Sequence, residues 1–351
     1  MVSENLKFPP IFTFPLTIVV ILTSQWPDVY GNLKVEWGDE YEVLERVGAV
    51  ILNPRGQMDK NKTGKASSAA FYEMARDKDE NAPFHEQDPT QGYAINWEQA
   101  GVGAGITLTH EDFLFSQTMN MAEKVGGLGL TVALREEHEI AVRMRYAGDT
   151  TFNNVSGKAV NIAIADTLAL LSDAHTIAFN TALTDDNDLD TIPFNRGNLK
   201  AGIAKPKKFR TDKGLKLVGG KYNTIITSDS EDMAFAVDEV VHSKLDPDTG
   251  TNKKNSLADR GMKHVGLAGL LQDGTGALDE TGEFYWFVAD LKRSEFFKKQ
   301  AEKVTPKFPK FDMSDPNLEI SGDHKVTNRG TWAHFIRRYH FIVGSLATAV
   351  G

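Results

Sequence analysis

The stretch YAINWEQAGVGAGITLTHED, residues 93–112, says most about how this chain folds. It begins with a large apolar residue at every second position, the period-two pattern of a β-strand, and these residues are Tyr93, Ile95 and Trp97. It ends with Thr109 and Asp112 at the spacing of a capping box, which marks the start of a helix. The stretch therefore predicts a strand that leads directly into a helix.

On the N-terminal side, this strand is the second half of a long excursion. Residues 66–108 are predicted to form two strands joined by a charged tip, RDKDENAPFHEQDPTQG at 76–92. An isolated hairpin of this size is only marginally stable in water. We therefore expect it to lie on another surface, and a neighbouring subunit is the natural candidate.

On the C-terminal side, a long helix is expected from Thr109 to about Tyr146. Three glycines interrupt it, at 126, 127 and 129, and each costs about 1 kcal/mol relative to Ala, so a bend or break is predicted there. The segment EEHE at 136–139 has one histidine where the HExxH zinc motif needs two. We interpret it as a solvated helix face.

Residues 1–60 mix short apolar runs with Pro and Gly and show no sustained helical period, which favours an extended arm. The run FTFPLTIVVILT from Phe12 to Thr23 is too short to span a bilayer. Glu4 beside Lys7 makes it a poor signal peptide. We expect an arm that docks its apolar residues on a neighbour or on its own core, and no membrane partner.

Beyond residue 150, strands and helices are intermixed without a regular βαβ rhythm, which predicts the α+β class. The expected elements are a short helix near 196–209, a strand at 222–227, a buried strand at 284–291, and a long alternating strand at 334–343. Ser228 and Glu231 form a second capping box, which predicts a helix after the first of these strands. Residues 244–255 carry the turn signals of an exposed loop.

The composition bounds the class of function. The chain has 351 residues, of which 41% are hydrophobic and 25% charged, which is ample for a packed core. Its formal net charge is −9, whereas proteins that grip nucleic acid usually carry a basic surplus. It has no cysteine, which excludes disulfides, thiolate metal sites and a cysteine nucleophile.

No catalytic, cofactor-binding or metal-binding residue is predicted. A dinucleotide-binding GxGxxG after a strand, a P-loop and a nucleophile elbow are all missing from the sequence. Asp186, Asp188 and Asp190 have the spacing that opens a calcium loop, but Thr191 and Gly197 stand where that loop needs Gly and Glu, so a capped turn is favoured. His334 and His340, on the face of a predicted strand, are interpreted as interface packing.

The order of these elements resembles the major capsid proteins of tailed bacteriophages, which have the Hong Kong 97-like fold. The segments that carry the resemblance are GAGITLTHED at 103–112 with the helix after it, YNTIITSDSEDMAFAVDEVV at 222–241, FYWFVAD at 284–290 and the alternating strand near the C-terminus. FNN at 152–154 and ADTLALLSDAHTI at 165–177 are similar to the Mu-like branch of those proteins. The resemblance covers roughly residues 60–351.

The resemblance implies a division of the chain into five parts. These are an N-terminal arm at 1–60, an E-loop at 61–108, a spine helix at 109–148, a peripheral P domain at 149–220 and 290–351, and an axial A domain at 221–289. In such a protein the arm and the E-loop lie on neighbouring subunits. The residues expected at inter-subunit contacts are Phe12, Ile18, Phe84, Tyr93 and Trp97.

The implied function is that of a head protein that catalyses nothing. It would assemble in the host cytoplasm into hexamers and pentamers of an icosahedral shell, and so belong to the virion. The shell would enclose double-stranded DNA without sequence-specific binding. A separate scaffolding protein and a portal protein are implied as partners, and a decoration protein is left open.

Two alternatives remain from the sequence. One is an encapsulin-like nanocompartment shell, which a cargo enzyme encoded next door would favour; the other is a soluble α+β enzyme with an unrecognised site. The role of two basic clusters is open as well, between facing DNA and pairing with acidic patches on adjacent subunits. The first cluster contains Lys205, Lys207, Lys208, Arg210, Lys213 and Lys216, and the second Lys292, Arg293, Lys298, Lys299, Lys303, Lys307 and Lys310.

Overall fold

Helices and strands are intermixed along the described chain, which confirms the α+β class. A computed structural model describes residues 26–43, 46–54, 58–69, 74, 77–78, 80, 86, 90–109, 118–243, 254–308 and 324–349. The α-helices are α1 (Trp26–Val43), α2 (Thr118–Arg145), α3 (Arg196–Ala204) and α4 (Glu231–His242). Among the described residues, no helix is long and apolar enough to cross a membrane.

The strands are short except at the hairpin and in one sheet. In chain order they are β1 (Thr63–Ala69), β2 (Gln91–Glu98), β3 (Ala100–Leu108), β4 (Thr151–Asn153), β5 (Ala159–Asn161), β6 (His175–Ile177), β7 (Asn180–Asp185), β8 (Thr224–Thr227), β9 (Lys263–Gly266), β10 (Trp286–Ala289), β11 (Phe296–Lys307), β12 (His324–Ile336) and β13 (Ile342–Ser345).

Two sheets organise the molecule. A four-stranded sheet has the order β13–β10–β8–β9, antiparallel except for the parallel pair β8–β9. All four residues of β8 and of β10 are buried, and for β10 its continuous apolar run predicts this. A three-stranded antiparallel sheet has the order β11–β12–β3. Three two-stranded pairs complete the set: β1–β2, β4–β5 and β6–β7.

Two main cores follow from these sheets. The larger surrounds the four-stranded sheet and includes Ile225, Ile226, Trp286 and Phe287, all fully buried. The second lies between α2 and the three-stranded sheet and is closed by α1. Its buried members are Leu33, Trp37, Leu108, Met121, Val125, Leu128, Val132, Val304, Val326 and Trp332.

The prediction of an extended arm over residues 1–60 is wrong for residues 26–43, which form α1. Leu33 and Trp37, one helical turn apart, are buried against α2, and Tyr41 packs beside them. Gly31 and Gly38 weaken the helical signal of this stretch in isolation, and packing on α2 compensates for it. The apolar run Phe12–Thr23 lies outside the described residues.

The predicted bend or break at the α2 glycines is also wrong, because the helix runs unbroken from Thr118 to Arg145. Two of the glycines face α1 at close range. A β-carbon at Gly126 would come within 2.8 Å of Glu40 Cγ, and one at Gly129 within 2.7 Å of the Trp37 carbonyl oxygen. The glycines therefore let α1 approach. The predicted cap residue Asp112 lies outside the described residues.

Two predictions in the C-terminal half need correction. Helix α4 is capped by Ser230, whose side chain accepts a hydrogen bond from Met233 N, and not by Ser228, whose hydroxyl donates to the Glu283 carbonyl. The single strand expected at 334–343 is two strands in different sheets, since β12 ends at Ile336 and β13 begins at Ile342. Residues between them turn inward, and Arg338 and Tyr339 are buried there.

The short helix expected near 196–209 is confirmed by α3 and the 3₁₀ turn Lys205–Lys208.

Candidate functional site

The feature of the chain best suited to contact a neighbour is the β1–β2 hairpin. Its strands pair antiparallel from Thr63–Glu98 to Ala69–Gln91, which confirms a two-stranded excursion. The predicted range 66–108 is too long, however, because residues 100–108 form β3 and pair with β12 in the three-stranded sheet. Most of the tip, including Phe84, lies outside the described residues.

The base of the hairpin is packed on its own chain. Trp97 is only 7% exposed, and its ring stacks on Phe335 of β12 with 6.3 Å between centroids. Gly64 on the paired strand makes room for this ring, since a β-carbon there would lie 2.4 Å from it. Arg337 donates a hydrogen bond to the Ser67 carbonyl at 2.9 Å and so ties β1 to the end of β12.

Two further side chains fix how the hairpin leaves the body. Gln99, buried between β2 and β3, donates to the carbonyls of Asp59 and Asn61 at 2.7 and 2.8 Å and accepts from Ala301 N at 2.7 Å. The half-buried Tyr93 places its hydroxyl 2.8 Å from that of Thr176. The direction of the described strands of the hairpin is thus set by contacts with their own subunit.

The structure brings two of the five predicted contact residues together with the body of the chain. Tyr93 and Trp97 lie on β2 and contact Thr176 and Phe335 of the same chain. Phe12, Ile18 and Phe84 lie outside the described residues. The three described carboxylates of the tip, Asp77, Glu80 and Glu86, are exposed.

The prediction that EEHE at 136–139 is a solvated helix face is wrong. Glu136 is 4% exposed and forms ion pairs with Lys298 of β11 and, at 3.3 Å, with Arg46. Glu137 accepts a hydrogen bond from Gly48 N at 2.7 Å. Glu136 and Glu137 therefore link α2 to the three-stranded sheet and to the segment after α1. A third carboxylate of this segment, Glu139, also has partners within the chain.

Glu139 joins α2 to β12. It accepts a hydrogen bond from Trp332 Nε1 at 2.8 Å and lies 3.3 Å from His334 Nδ1 and 2.7 Å from Arg135. Burial alone would raise the pKa of Glu139, but the hydrogen bond from His334 and the charges of Arg143 and Arg135 lower that pKa to about 2. Burial lowers the pKa of His334, so its ring is neutral near pH 7 and donates from Nδ1.

A buried histidine–aspartate pair was missed by sequence reasoning. His175 Nδ1 lies 2.7 Å from Asp166, and its Nε2 lies 3.0 Å from the Asn187 side-chain oxygen and 3.2 Å from the Leu170 carbonyl. The ring is fully buried and stacks on Tyr339. Both of its nitrogens have partners within the protein, so this pair holds the fold together and offers no nitrogen to a substrate.

The aspartates at 186, 188 and 190 form the predicted capped turn. Asp188 N donates to Asp186 and Asp190 N to Asp188, at 3.0 and 2.9 Å, and Lys205 pairs with Asp186 at 2.7 Å. The lysine occupies the acidic face that a cation would need. Across the described ranges, no group of three or more metal-ligating side chains converges.

Many cations of the two basic clusters pair within their own chain. Lys205 and Arg210 reach Asp186 and Asp185, while Arg293, Lys298, Lys299 and Lys307 reach Asp290, Glu136, Asp59 and Glu302. His334 and His340, expected at an interface, contact Glu139 and the Arg210 carbonyl of the same chain. Pairing within the same chain is therefore a third role for these cations, in addition to facing DNA and pairing with acidic patches on adjacent subunits.

The fold was compared with known proteins. A capsid structure of the cyanophage P-SCSP1u aligns with a TM-score of 0.51 and 8% identity, over 84% of this chain and 87% of that one. The chain has the fold of a phage capsid subunit. A structure from Gordonia phage Cozz aligns with a TM-score of 0.50 and 9% identity, over 87% of both chains. No protein-family model and no curated protein matches the sequence.

This capsid fold confirms the resemblance that the order of elements indicated. At 8–9% identity the likeness concerns the path of the chain rather than individual side chains. Neither the hairpin tip nor any contact residue can be transferred from these relatives.

Proposed function

We propose that this chain is the major capsid protein of a tailed phage, and that it assembles into hexamers and pentamers of an icosahedral shell around double-stranded DNA. The observation that carries the proposal is the fold shared with the cyanophage capsid subunit over most of both chains. The buried His175 pair and the lysine-filled aspartate turn support a structural role without catalysis.

The parts of the fold suit the proposed roles. We assign the hairpin and its tip to the E-loop, α2 to the spine helix, the three-stranded sheet to the P domain and the four-stranded sheet with α4 to the A domain. Strand β13 modifies the division that the sequence implied, because it pairs with β10 and so joins residues 342–345 to the A-domain sheet. The arm is restricted to the residues before α1.

Assembly follows from the geometry of the hairpin. Its base is fixed on its own subunit by Trp97 and Gln99, which leaves the tip as the part that we propose contacts a neighbour. Phe84 in the tip is proposed as an apolar contact on that neighbour, and Phe12 and Ile18 in the arm act likewise. Many modest contacts repeated around closed rings add to a stable lattice.

Enclosure of DNA requires no sequence-specific site. The net charge is −9 and several basic side chains are already paired with carboxylates of their own chain. A surface of this kind holds DNA at high concentration without strong phosphate binding. We further propose that a separate scaffolding protein sets the curvature, that a portal protein occupies one vertex, and that assembly takes place in the host cytoplasm before the subunit enters the virion.

Electron microscopy with analytical ultracentrifugation tests the proposal. The purified chain, expressed alone and together with the scaffolding protein encoded beside it, is expected to form closed particles or capsomers of five and six subunits. Hydrogen exchange should show residues 63–98 better protected in particles than in free capsomers. Monomers or dimers under every salt and scaffold condition would refute the shell function, and equal protection in both states would refute the role of the hairpin.

A further inference from the structure

A cationic cavity lies between α2, the three-stranded sheet and the β4–β5 hairpin. Its volume is about 460 Å³. The positively charged side chains that line it are Arg135, Arg143 and Lys158, and the carboxylates are Glu98 and Glu139. Neither the capsid fold nor the proposed contacts of the hairpin account for this arrangement.

The two carboxylates are already engaged. Glu98 is exposed and pairs with Lys62 at 3.3 Å. Glu139 pairs with Arg135 and also accepts hydrogen bonds from Trp332 and His334. Because the charge of Glu98 is paired with Lys62, Glu139 is left to face the positive charges of Arg135, Arg143 and Lys158. The cavity lining therefore carries more positive than negative charge.

Arg143 forms no ion pair at contact distance with a described carboxylate. Its guanidinium donates to the carbonyl of Glu139, one turn back in α2, at 2.6 Å. Among the described residues no carboxylate oxygen lies within ion-pair distance of it. Burial lowers the pKa of Arg143, and the charge of Glu139 opposes that effect, so the guanidinium stays protonated. Glu139 also pairs with Arg135, so one buried carboxylate faces two buried guanidinium groups.

One further polar atom of the cavity lining has no hydrogen-bond partner. Within the described part of the chain, Arg135 Nη1 is sealed from solvent and forms no hydrogen bond. A buried guanidinium N–H is normally hydrogen-bonded, and an unsatisfied one next to a cavity points to a missing acceptor. His334 Nε2 takes no part in the site, because the neutral ring donates from Nδ1 to Glu139 and its Nε2 is an acceptor.

We propose that this cavity is an oxyanion site, in which Arg143, Arg135 and Lys158 bind a carboxylate or an inorganic phosphate or sulfate ion. The guanidinium groups supply paired donors that match two oxygens of such an ion. Lys158, exposed on β5's side of the mouth, adds a third charge. The oxyanion has two possible sources, a dissolved ion or a carboxylate side chain of a second copy of this chain, and the latter rests on the proposed capsid function.

Thermal unfolding of the unassembled subunit tests the site itself. The midpoint is measured while sodium sulfate replaces sodium chloride at constant ionic strength, in the wild type and in Arg143→Met, Arg143→Lys, Lys158→Gln and Lys200→Gln. Sulfate stabilises proteins in general, so the quantity of interest is the difference between variants. Lys200 is exposed on α3 and lies outside the cavity. Lys200→Gln removes the same charge as Lys158→Gln and is therefore the matched control.

The wild type and Lys200→Gln are expected to show the same saturable rise. The apparent dissociation constant should increase about two- to fivefold in Lys158→Gln, as for an exposed ion pair, and about tenfold or more in Arg143→Met. Arg143→Lys keeps the charge and should retain part of the response. If Arg143→Met folds and responds to sulfate as the wild type does, the oxyanion site is overturned. This result does not depend on whether the chain forms a shell.

Closed particles distinguish the source of the oxyanion. If a neighbour's carboxylate fills the cavity, the difference in sulfate response between wild type and Arg143→Met disappears in particles, and Arg143→Met raises the concentration needed for assembly. If the ligand is a dissolved ion, particles keep the difference and the assembly concentration is unchanged. Both outcomes support the site, because both require the response of the free subunit.

Discussion

The carbonyl oxygen of Trp37 in α1 lies directly over Gly129 of α2, where a β-carbon would come within 2.7 Å of it. The same β-carbon would lie 3.2 Å from two atoms of the Trp37 indole ring, so both the backbone and the side chain of Trp37 occupy the space beside this glycine. Gly126 and Gly129, two of the glycines that weaken the helical pattern in the sequence, form the surface on which α1 packs against α2.

This contact predicts opposite effects for two neighbouring glycines. Gly129→Ala should lower the free energy of unfolding by about 1–3 kcal/mol, because the new methyl group forces α1 away. Gly127→Ala should raise it by up to about 1 kcal/mol, since a β-carbon there meets nothing within 4 Å and alanine favours the helix. Urea unfolding followed by circular dichroism measures both. Two variants that change stability in the same direction would show that α1 does not rest on Gly129.

The buried pair between Glu136 and Lys298 predicts a non-additive double mutant. Glu136→Gln leaves Lys298 and Arg46 without their shared carboxylate and should cost about 3–5 kcal/mol of unfolding free energy. Adding Lys298→Met removes one of the stranded charges, so the double variant should be more stable than Glu136→Gln alone.

Chemical denaturation of the four proteins in this cycle provides the measurement. Lys299→Met is the matched control, because Lys299 is the adjacent lysine of β11 and its pair with Asp59 is long, at 3.7 Å. It should change stability by about 1 kcal/mol or less. Additive losses for Glu136→Gln and Lys298→Met would mean that the two side chains do not interact.

The sequence predicted what depends on local pattern. The continuous apolar run at 286–289 forms the buried strand β10, the predicted strand at 222–227 contains β8, and the alternation from Tyr93 to Trp97 forms β2. Each of these patterns is the direct consequence of which faces of an element meet water. The order of such elements was sufficient to indicate a capsid fold.

The buried charges could not be predicted in this way. Glu136 pairs with Arg46 and Lys298, which are 90 and 162 residues away in the chain, so a helix face that looks solvated is neutralised by distant elements. One local signal is present: Arg145, which is 7% exposed, follows Val142 and Met144, both fully buried, in the same stretch of α2. A charged residue inside an apolar run indicates a buried ion, although it does not identify the partner.

The position of Trp97 predicts that hairpin variants fall into two classes. Trp97→Ala removes the stack on Phe335 and should cost the free subunit about 3–5 kcal/mol of unfolding free energy, so any loss of assembly would follow from the unstable subunit. Phe84→Ala should leave the stability of the free subunit unchanged and reduce the yield of particles. Asp79→Lys should affect both by little, since exposed ion pairs contribute about 0.2–1 kcal/mol.

Urea unfolding of free subunits and the particle yield from sedimentation separate these classes. A Phe84→Ala subunit destabilised as much as Trp97→Ala would place the tip on its own chain and remove its role as a contact between subunits.

The histidine at 340 predicts how stability depends on pH. Burial, together with the charge of Arg338, lowers its pKa to about 3, although its Nε2 donates to the Arg210 carbonyl at 3.0 Å. In the unfolded chain the pKa is near 6.5. Between these values the unfolded state binds a proton that the folded state does not, so stability is complete above about pH 6.5 and is lost as the pH falls towards 3.

His340→Gln should therefore flatten the acid side of the stability profile. The amide can still donate to the Arg210 carbonyl, but it cannot take up a proton, so the slope between pH 6 and 4 should decrease by up to about 1.4 kcal/mol per pH unit. His138 and His334, whose pKa values burial also lowers, leave a residual slope. The free energy of unfolding in urea at several pH values provides the test, with the exposed His242→Gln as control. A His340→Gln profile parallel to that of the wild type would show that His340 takes up its proton equally in the folded and unfolded chains.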